Sequence, residues 1–215
     1  MLHAWLAQWY NFLIQQGWSV DVQADGTRAL DHVKRALDID PGCSLSLTMN
    51  GLMQTFFAKN FEDAAASYDE AILIDPNNPL AWLFKSTLLA FSDQGPEAVQ
   101  SAARARRLSP LDPHRFLYDA LSATAHSAAG EVETALQFAE KSWEANHRHS
   151  STLRSMIVAK AELGKMAEAR HLAGRLLHFD PNFRVNAYLK NHPASTSACG
   201  RRWAETLAKA GVPYE

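Results

Sequence analysis

The chain lacks the features that mark several common classes of protein. Only two of its 215 residues are cysteines, Cys43 and Cys199, which excludes a disulfide framework and predicts a reducing compartment, the cytoplasm. No apolar run reaches the roughly 18 residues of a membrane-spanning helix, and no basic segment with a following apolar core predicts a signal peptide. Lysine and arginine number 21 against 23 acidic residues, which argues against non-specific binding of nucleic acid.

What remains is a composition typical of a folded helical protein. Hydrophobic residues make up 47% of the chain and charged residues 20%, so wholesale disorder is not expected. No segment alternates apolar and polar residues as a strand does, and no tract is of low complexity.

A pattern that begins with a small residue recurs five times. Positions 0, +4 and +7 share one helix face, and position +12 holds a residue that ends a helix. The first members are separated by 35, 34, 37 and 34 residues, which predicts a tandem array of helix pairs. The five sets are Ala29, Val33, Ala36, Pro41; Ala64, Tyr68, Ala71, Pro76; Ala98, Ala102, Ala105, Pro110; Ala135, Ala139, Ser142, His147; and Ala169, Ala173, Leu176, Pro181.

This pattern divides the chain into an array, residues 1–181, and C-terminal capping helices, residues 182–215. Trp203 and Leu207 lie four apart on the last predicted helix. We expect them to cover the open end of the array, because each repeat buries its face only against a neighbour. The predicted repeats are about 1–41, 42–76, 77–110, 113–147 and 148–181.

Two local features can also be predicted. Asn60 and Asn78 each precede a predicted helix. Their side-chain oxygens can accept hydrogen bonds from the first N–H groups of that helix. The spacing from Gly51 to Ala64 is thirteen residues, one more than in the first unit. One extra residue is therefore predicted in the first helix of the second pair or in its turn.

The stretch Asn78–Pro110 shows the pairing most clearly. Its first helix carries Trp82, and its second carries Ala98 and Ala102, so that an aromatic ring can face small residues and the axes can approach to about 8–10 Å. The unit resembles a tetratricopeptide repeat (TPR), whose pattern runs W-x2-L-G-x2-Y, A-x3-F and P. The resemblance implies an all-α, right-handed superhelix of about five helix pairs with a C-terminal capping helix. It also implies a role in protein–protein interaction, as a scaffold that binds a protein or peptide.

Four stretches of the sequence indicate a more specific resemblance. They resemble the C-terminal TPR region of bacterial class III adenylate/guanylate cyclases, and similar regions follow winged-helix domains in bacterial transcriptional regulators. That resemblance implies a regulatory or signal-sensing arm. The cyclase domain of the family lies upstream of this region and is absent here, so no catalytic residue carries over. The stretches are ARRLSPLDP (Ala105–Pro113), ANHRHSSTLR (Ala145–Arg154), DPNFRVNAYL (Asp180–Leu189) and RRWAETLAKAGVP (Arg201–Pro213).

The first helix of each pair lines the inner, concave face of TPR arrays, where peptides bind. The lysines and asparagines that clamp acidic C-terminal peptides are missing from the corresponding places here. We therefore predict an apolar groove that takes a hydrophobic segment, a helix or a second protomer, against the alternative that self-packing closes it. The predicted groove residues are Leu80, Leu83, Thr87, Phe91, Leu117, Thr124, Arg154 and Val158.

The predicted first helix, Met1–Gln16, carries an apolar stripe with no earlier repeat to cover it. Core packing explains most such stripes. A homodimer surface, or continuation into a longer protein, is the functional alternative. The residues predicted for the dimer surface are Leu2, Trp5, Leu6 and Trp9.

Candidate chemistry is sparse. His147 lies two residues from His149, a spacing that fits zinc templates poorly, so no metal or other cofactor is predicted. Cys43 lies near a helix start without a patterned base, and the basic residues Arg104 and Arg201 read as solvated helix faces. The chain is predicted not to be an enzyme. The alternative from another class of function is an enzyme with an unrecognised helical active site that acts through His147 or Cys43.

Overall fold

The computed structural model describes residues 2–15 and 18–215. These residues form twelve α-helices, a π-helical turn at Gln54–Ala58 and a 3-10 turn at Pro193–Thr196, and they contain no strand. The predicted all-α class is confirmed, and Met1 and Gln16 of the predicted first helix lie outside the described residues. The helices are α1 (Leu2–Gln15), α2 (Val22–Ile39), α3 (Ser44–Met53), α4 (Phe61–Ile74), α5 (Pro79–Phe91), α6 (Gly95–Leu108), α7 (Arg115–Ala128), α8 (Val132–Ala145), α9 (Ser150–Glu162), α10 (Met166–Phe179), α11 (Val185–Asn191) and α12 (Ala198–Lys209).

Helices α1 to α10 form five consecutive antiparallel pairs. Each helix contacts the next one along the chain, and the first helices α1, α3, α5, α7 and α9 also contact one another in sequence. The second helices contact first helices instead, so the first helices form one continuous inner layer. None of the described helices is long and apolar enough to cross a bilayer.

The pairs are held together at the small residues of the repeating pattern. Ala29, Ala64, Ala98, Ala135 and Ala169, one per unit, are each no more than 2% exposed. Burial of the small side chains lets the backbones of neighbouring helices approach, and larger residues beside them fill the remaining space.

The predicted caps and the predicted extra residue both have structural counterparts. The Asn60 side chain accepts from Asp63 N–H, and Asn78 accepts from the N–H groups of Leu80 and Ala81, which confirms both caps. The extra residue is accommodated by the π-helical turn Gln54–Ala58, in which the i→i+5 pattern inserts one residue into the helix.

Gly51 lies where α3 packs against Tyr68 of α4. A Cβ atom built there would be 2.6 Å from Cε1 of Tyr68, a ring that is fully buried and whose hydroxyl lies 3.3 Å from Thr55 Oγ1. Glycine is required at this position because the ring already occupies the space that a side chain would need.

We expect Gly51→Ala to destabilise the fold. Overpacking costs about 1–3 kcal/mol, more than the roughly 0.5–1 kcal/mol that alanine gains over glycine in a helix. Gly174→Ala in α10 is the control, since a Cβ there meets nothing within 4 Å and should stabilise the fold. Urea denaturation of both variants measures the two changes, and changes of the same sign would contradict the packing explanation.

Candidate functional site

After α10 the chain folds back across the inner layer. We name α11, the 3-10 turn and α12, residues 185–209, the return segment. Helix α12 packs on α9 and reaches α5, and the 3-10 turn packs on the π-helical turn of the second pair. Lys59 Nζ donates to the carbonyl of Lys190 at 3.1 Å, which joins the second pair to the return segment.

Asp93, in the turn after α5, caps the start of α12. Its carboxylate accepts from Ala198 N–H at 2.8 Å and from Cys199 N–H at 2.9 Å, and its φ of 59° is left-handed. Desolvation by itself would raise the pKa of this carboxyl, but the hydrogen bonds from Cys199 and Ala198 outweigh it and lower the pKa. A residue of the third pair thus fixes the helix that ends the chain.

Trp203 fixes α12 against the inner layer, and Gly200 lets α12 pack closely on the 3-10 turn of the return segment. Trp203 Nε1 donates to Ser127 Oγ at 2.9 Å, and its ring packs edge-on to Phe91 with centroids 6.3 Å apart. A Cβ on Gly200 would be 1.9 Å from the carbonyl oxygen of Ala194, so only glycine permits this crossing of backbones. As predicted for a capping helix, α12 packs on α9 of the last pair, and Trp203 in addition contacts Phe91 and Ser127 of the third and fourth pairs.

A cavity of about 460 Å³ lies between the inner layer and the return segment. We call it the inner cavity. Aromatic and aliphatic side chains form most of its wall area, and the lining also carries hydroxyl, amide, imidazole and charged groups, among them Asp180 and Arg184. The lining residues include Ile14, Met53, Phe56, Phe91, Leu117, Leu121, Thr124, Ser127, His149, Ser151, Arg154, Val158, Phe183, Tyr188, His192, Trp203 and Leu207.

Arg154 on α9 carries a charge into this cavity. Its guanidinium carbon lies 5.6 Å from the centroid of the Phe183 ring and 5.2 Å from that of Tyr188. Burial, aided by the charge of Arg154, lowers the pKa of His149 to about 4 and that of His192 to about 3, so both imidazoles are neutral near pH 7. Aromatic faces stabilise the cation without neutralising it.

The inner cavity contains five of the eight residues predicted for the groove. These are Phe91, Leu117, Thr124, Arg154 and Val158. Leu83 and Thr87 are instead fully buried, Leu83 beside Ala105 and Tyr118, so they cannot contact a ligand. Leu80 is half-buried and packs against the cluster that Leu83 forms with Ala105 and Tyr118.

Several lining residues were not identified from the sequence. Tyr188, His192 and Trp203 belong to the return segment, and no periodic pattern indicates that this segment crosses the inner face. Phe56 enters the cavity from the π-helical turn, where it packs edge-on to Phe91 at 5.7 Å between centroids. The thirteen-residue spacing from Gly51 to Ala64 is the sequence signal that the chain departs from the repeat pattern just after α3.

The residues predicted for the dimer surface lie outside the core. Leu2 is 72% exposed, Trp5 50% and Trp9 53%, while Leu6 is half-buried. Ala4 faces the interior instead and is fully buried. The α1 face that carries the tryptophans is therefore open in the single chain.

Of the candidate chemical residues, His149 lines the inner cavity, whereas His147 and Cys43 do not. His147 is exposed and packs on Trp143 at 5.2 Å between ring centroids. Burial would raise the pKa of the half-buried Cys43 thiol, but hydrogen bonds from Ser46 and Leu45 lower it overall. Within residues 2–15 and 18–215, no three histidine, cysteine or acidic residues are grouped to hold a metal ion.

The helix pairs with their inner layer define the class of fold, an all-α solenoid of TPR type. The sequence matches no protein-family model and no curated protein sequence. Solved structures do share the fold, at sequence identities that establish the fold alone.

Three of these structures illustrate the likeness. PilW, described as a widely conserved type IV pilus biogenesis factor, has a TM-score of 0.68 at 16% identity, covering 100% of this chain and 96% of that chain. PilF of Pseudomonas aeruginosa has a TM-score of 0.63 at 16% identity, covering 95% and 88%. YrrB, described as a TPR protein with an unusual peptide-binding site, has a TM-score of 0.54 at 17% identity, covering 83% and 90%.

We expect Asp93→Asn to weaken the attachment of the return segment. Asparagine keeps the left-handed backbone accessible but loses the charge at the helix start, so the free energy of unfolding at pH 7 should fall by about 1 kcal/mol. Because the folded-state pKa is lowered, the stabilisation is complete above the ordinary aspartate value of about 3.9 and is lost as the pH falls through the folded value.

Urea denaturation at a series of pH values tests this expectation. The difference between wild type and Asp93→Asn should vanish in acid, whereas the control Asp38→Asn on the exposed side of α2 should show little difference at any pH. An Asp93→Asn difference that does not change with pH would refute the role of the carboxylate.

Proposed function

We propose that the chain is a non-catalytic TPR module that binds an apolar peptide segment of a protein partner in the inner cavity. The observation that carries the proposal is the cavity itself, about 460 Å³ in volume and lined by first helices of the pairs and by the return segment. Ligand sites of about 300–1,000 Å³ with apolar walls and few polar groups are the usual kind in proteins.

The structural neighbours support a role in protein interaction. YrrB is described as having a peptide-binding site, and PilW as a factor in the biogenesis of a protein assembly, the type IV pilus. This chain shares their fold, and its inner cavity lies on the face that the first helices of the pairs form. The two free cysteines further support action in a reducing cytoplasm.

An enzyme remains the alternative from another class. His147 and Cys43 do not line the inner cavity. The proposal therefore assigns no reaction to the chain. Substrate turnover that is lost in His147→Ala would revive the enzyme hypothesis.

The resemblance to cyclase TPR regions supports a regulatory role for the same module. Two of the resembling stretches, Ala105–Pro113 and Ala145–Arg154, span turns between pairs, and Arg201–Pro213 overlaps α12. A signal that acts on α12 would change the wall of the cavity directly. A cyclase or winged-helix domain in a longer reading frame would favour this sensing arm over an independent scaffold.

We expect Thr124→Arg to weaken peptide binding, because the new side chain enters the cavity from its α7 wall without removing core atoms. The control is Thr27→Arg on α2. Both threonines donate to the carbonyl four residues earlier, at 3.2 and 2.9 Å, but Thr27 is exposed and lies outside the cavity.

A bead library of apolar hexapeptides, screened with the wild-type chain, supplies the ligands. Selected peptides should bind Thr124→Arg at least about tenfold more weakly, a change of about 1.4 kcal/mol, and Thr27→Arg unchanged, by titration calorimetry. Equal binding to both variants would place the site elsewhere, and a library that yields no ligand would refute the proposed function.

We also propose that α1 mediates a homodimer. Support comes from the exposed faces of Trp5 and Trp9 and from the sequence of α1, LHAWLAQWYNFLIQ, which has no Asp, Glu, Lys or Arg. Two copies can therefore meet without repulsion between like charges, while aromatic area is removed from water.

Light scattering tests the dimer. The wild type should show about twice the 23.9 kDa chain mass, and Trp5→Glu should show the single mass, because two buried carboxylates would oppose association. Leu111→Glu is the control, since Leu111 is 92% exposed on the turn before α7. A monomer in the wild-type sample would contradict the proposal.

A further inference from the structure

The side chain of Arg154 is a charged group on the wall formed by the first helices, and it has no acidic partner among the described residues. Among the described residues, Arg28, Arg106, Arg115 and Arg202 each lie within 4 Å of a carboxylate, whereas Arg154 forms no such pair. Its neighbours are the rings of Phe183 and Tyr188 and the hydroxyl of Ser150 at 3.4 Å. A cation held among apolar walls attracts an anion more strongly than one in open solvent does.

The other charges of the lining are occupied locally. Arg184 donates to the carbonyls of Pro181 and Phe183 at 3.0 and 2.9 Å, and Asp180 accepts from Asn182 N–H at 3.2 Å. All of these contacts lie in the turn that precedes α11. These hydrogen bonds hold both side chains at the turn, so Arg154 is the charged group on the wall that the first helices form.

The hydrogen bond that His192 accepts makes its other ring nitrogen a second donor near Arg154. Its Nδ1 accepts from Ala194 N–H at 3.1 Å, so the proton of the neutral ring is on Nε2. The Tyr188 ring connects the two groups, since it lies against the Arg154 guanidinium and 4.9 Å from the His192 ring between centroids. Arg154 and His192 thus present N–H groups and no acceptor.

His149 has the opposite tautomer, and a chain of hydroxyls determines it. Ser142 Oγ donates to the carbonyl of Phe116, so Thr152 Oγ1, 2.8 Å away, must donate to Ser142. His149 Nδ1, 2.7 Å from Thr152 Oγ1, must therefore carry its proton, which leaves Nε2 as an acceptor. This acceptor can take a peptide N–H but not an anion.

We propose that the inner cavity binds an apolar peptide through one carboxylate, which accepts hydrogen bonds from the Arg154 guanidinium and from His192 Nε2–H. The inference rests on the proposed function and adds the chemical class of the ligand. The carboxylate comes from the end of a peptide or from an acidic side chain within it, and both present the same oxygen pair. Because Arg154 is the one cation on the wall formed by the first helices in the described lining, the site fits one carboxylate rather than an acidic run or a phosphate.

Two bead libraries of identical hexapeptides test the inference, one with a free C-terminal carboxylate and one amidated, with Glu and Gln among the apolar residues. Every peptide that the wild-type chain selects should carry a carboxylate, at the terminus or as Glu. Replacing that group with an amide should weaken binding about 10- to 100-fold by calorimetry. This comparison varies only the peptide, so it does not depend on the folding of any variant.

The second part of the experiment changes the protein and compares Arg154→Gln with Arg175→Gln. Arg175 on α10 is a matched control because its guanidinium carbon also lies over an aromatic ring, 5.0 Å from the Trp143 centroid, but outside the cavity. Arg154→Gln should bind the acid and the amide equally, and Arg175→Gln should keep the preference of the wild type.

The outcomes separate the two proposals. Selection of peptides without a carboxylate at equal affinity would overturn the inference and leave the proposed function intact. Selection of no peptide from either library would refute both. Binding of decanoate, tested in parallel, in the absence of any peptide binding would identify a lipid carboxylate as the ligand and would overturn the peptide class.

Discussion

The structure depends on the close approach of neighbouring helices at residues with little or no side chain. At Gly51 the ring of Tyr68 fills the space that a Cβ would take, and the alanines that begin each unit are almost completely buried. Because this contact repeats, the first helices come together in one layer, and that layer supplies the walls of the inner cavity. Larger residues at these positions would separate the pairs and remove the cavity.

The repeating contact is also why much of the fold could be predicted from the sequence. The helix class, the caps at Asn60 and Asn78 and the extra residue near Gly51 follow from spacing and local hydrogen bonding, which involve neighbours along the chain. The α1 face shows the limit of periodicity. Ala4 faces the core while Trp5 faces outward, since the pair contact requires the small residue.

The site was predictable only in part, for a related reason. Phe91 and Arg154 could be placed on the inner face from their register, but Leu83 and Thr87 share that register and are buried between helices. The return segment was missed because its position depends on contacts between residues about 75 to 131 apart, such as Trp203 with Ser127 and Lys59 with Lys190. No local pattern encodes contacts over such separations.

Those long contacts change how the array should behave as a whole. A simple repeat array has only contacts between neighbours, so it can fray from either end one unit at a time. Here Lys59 and Asp93 join the second and third pairs to the last helices, which closes large loops in the chain. Opening the C-terminal end therefore disturbs the middle of the array, and loop closure raises the contact order, so we expect slower and more cooperative folding than a linear stack of five pairs would show.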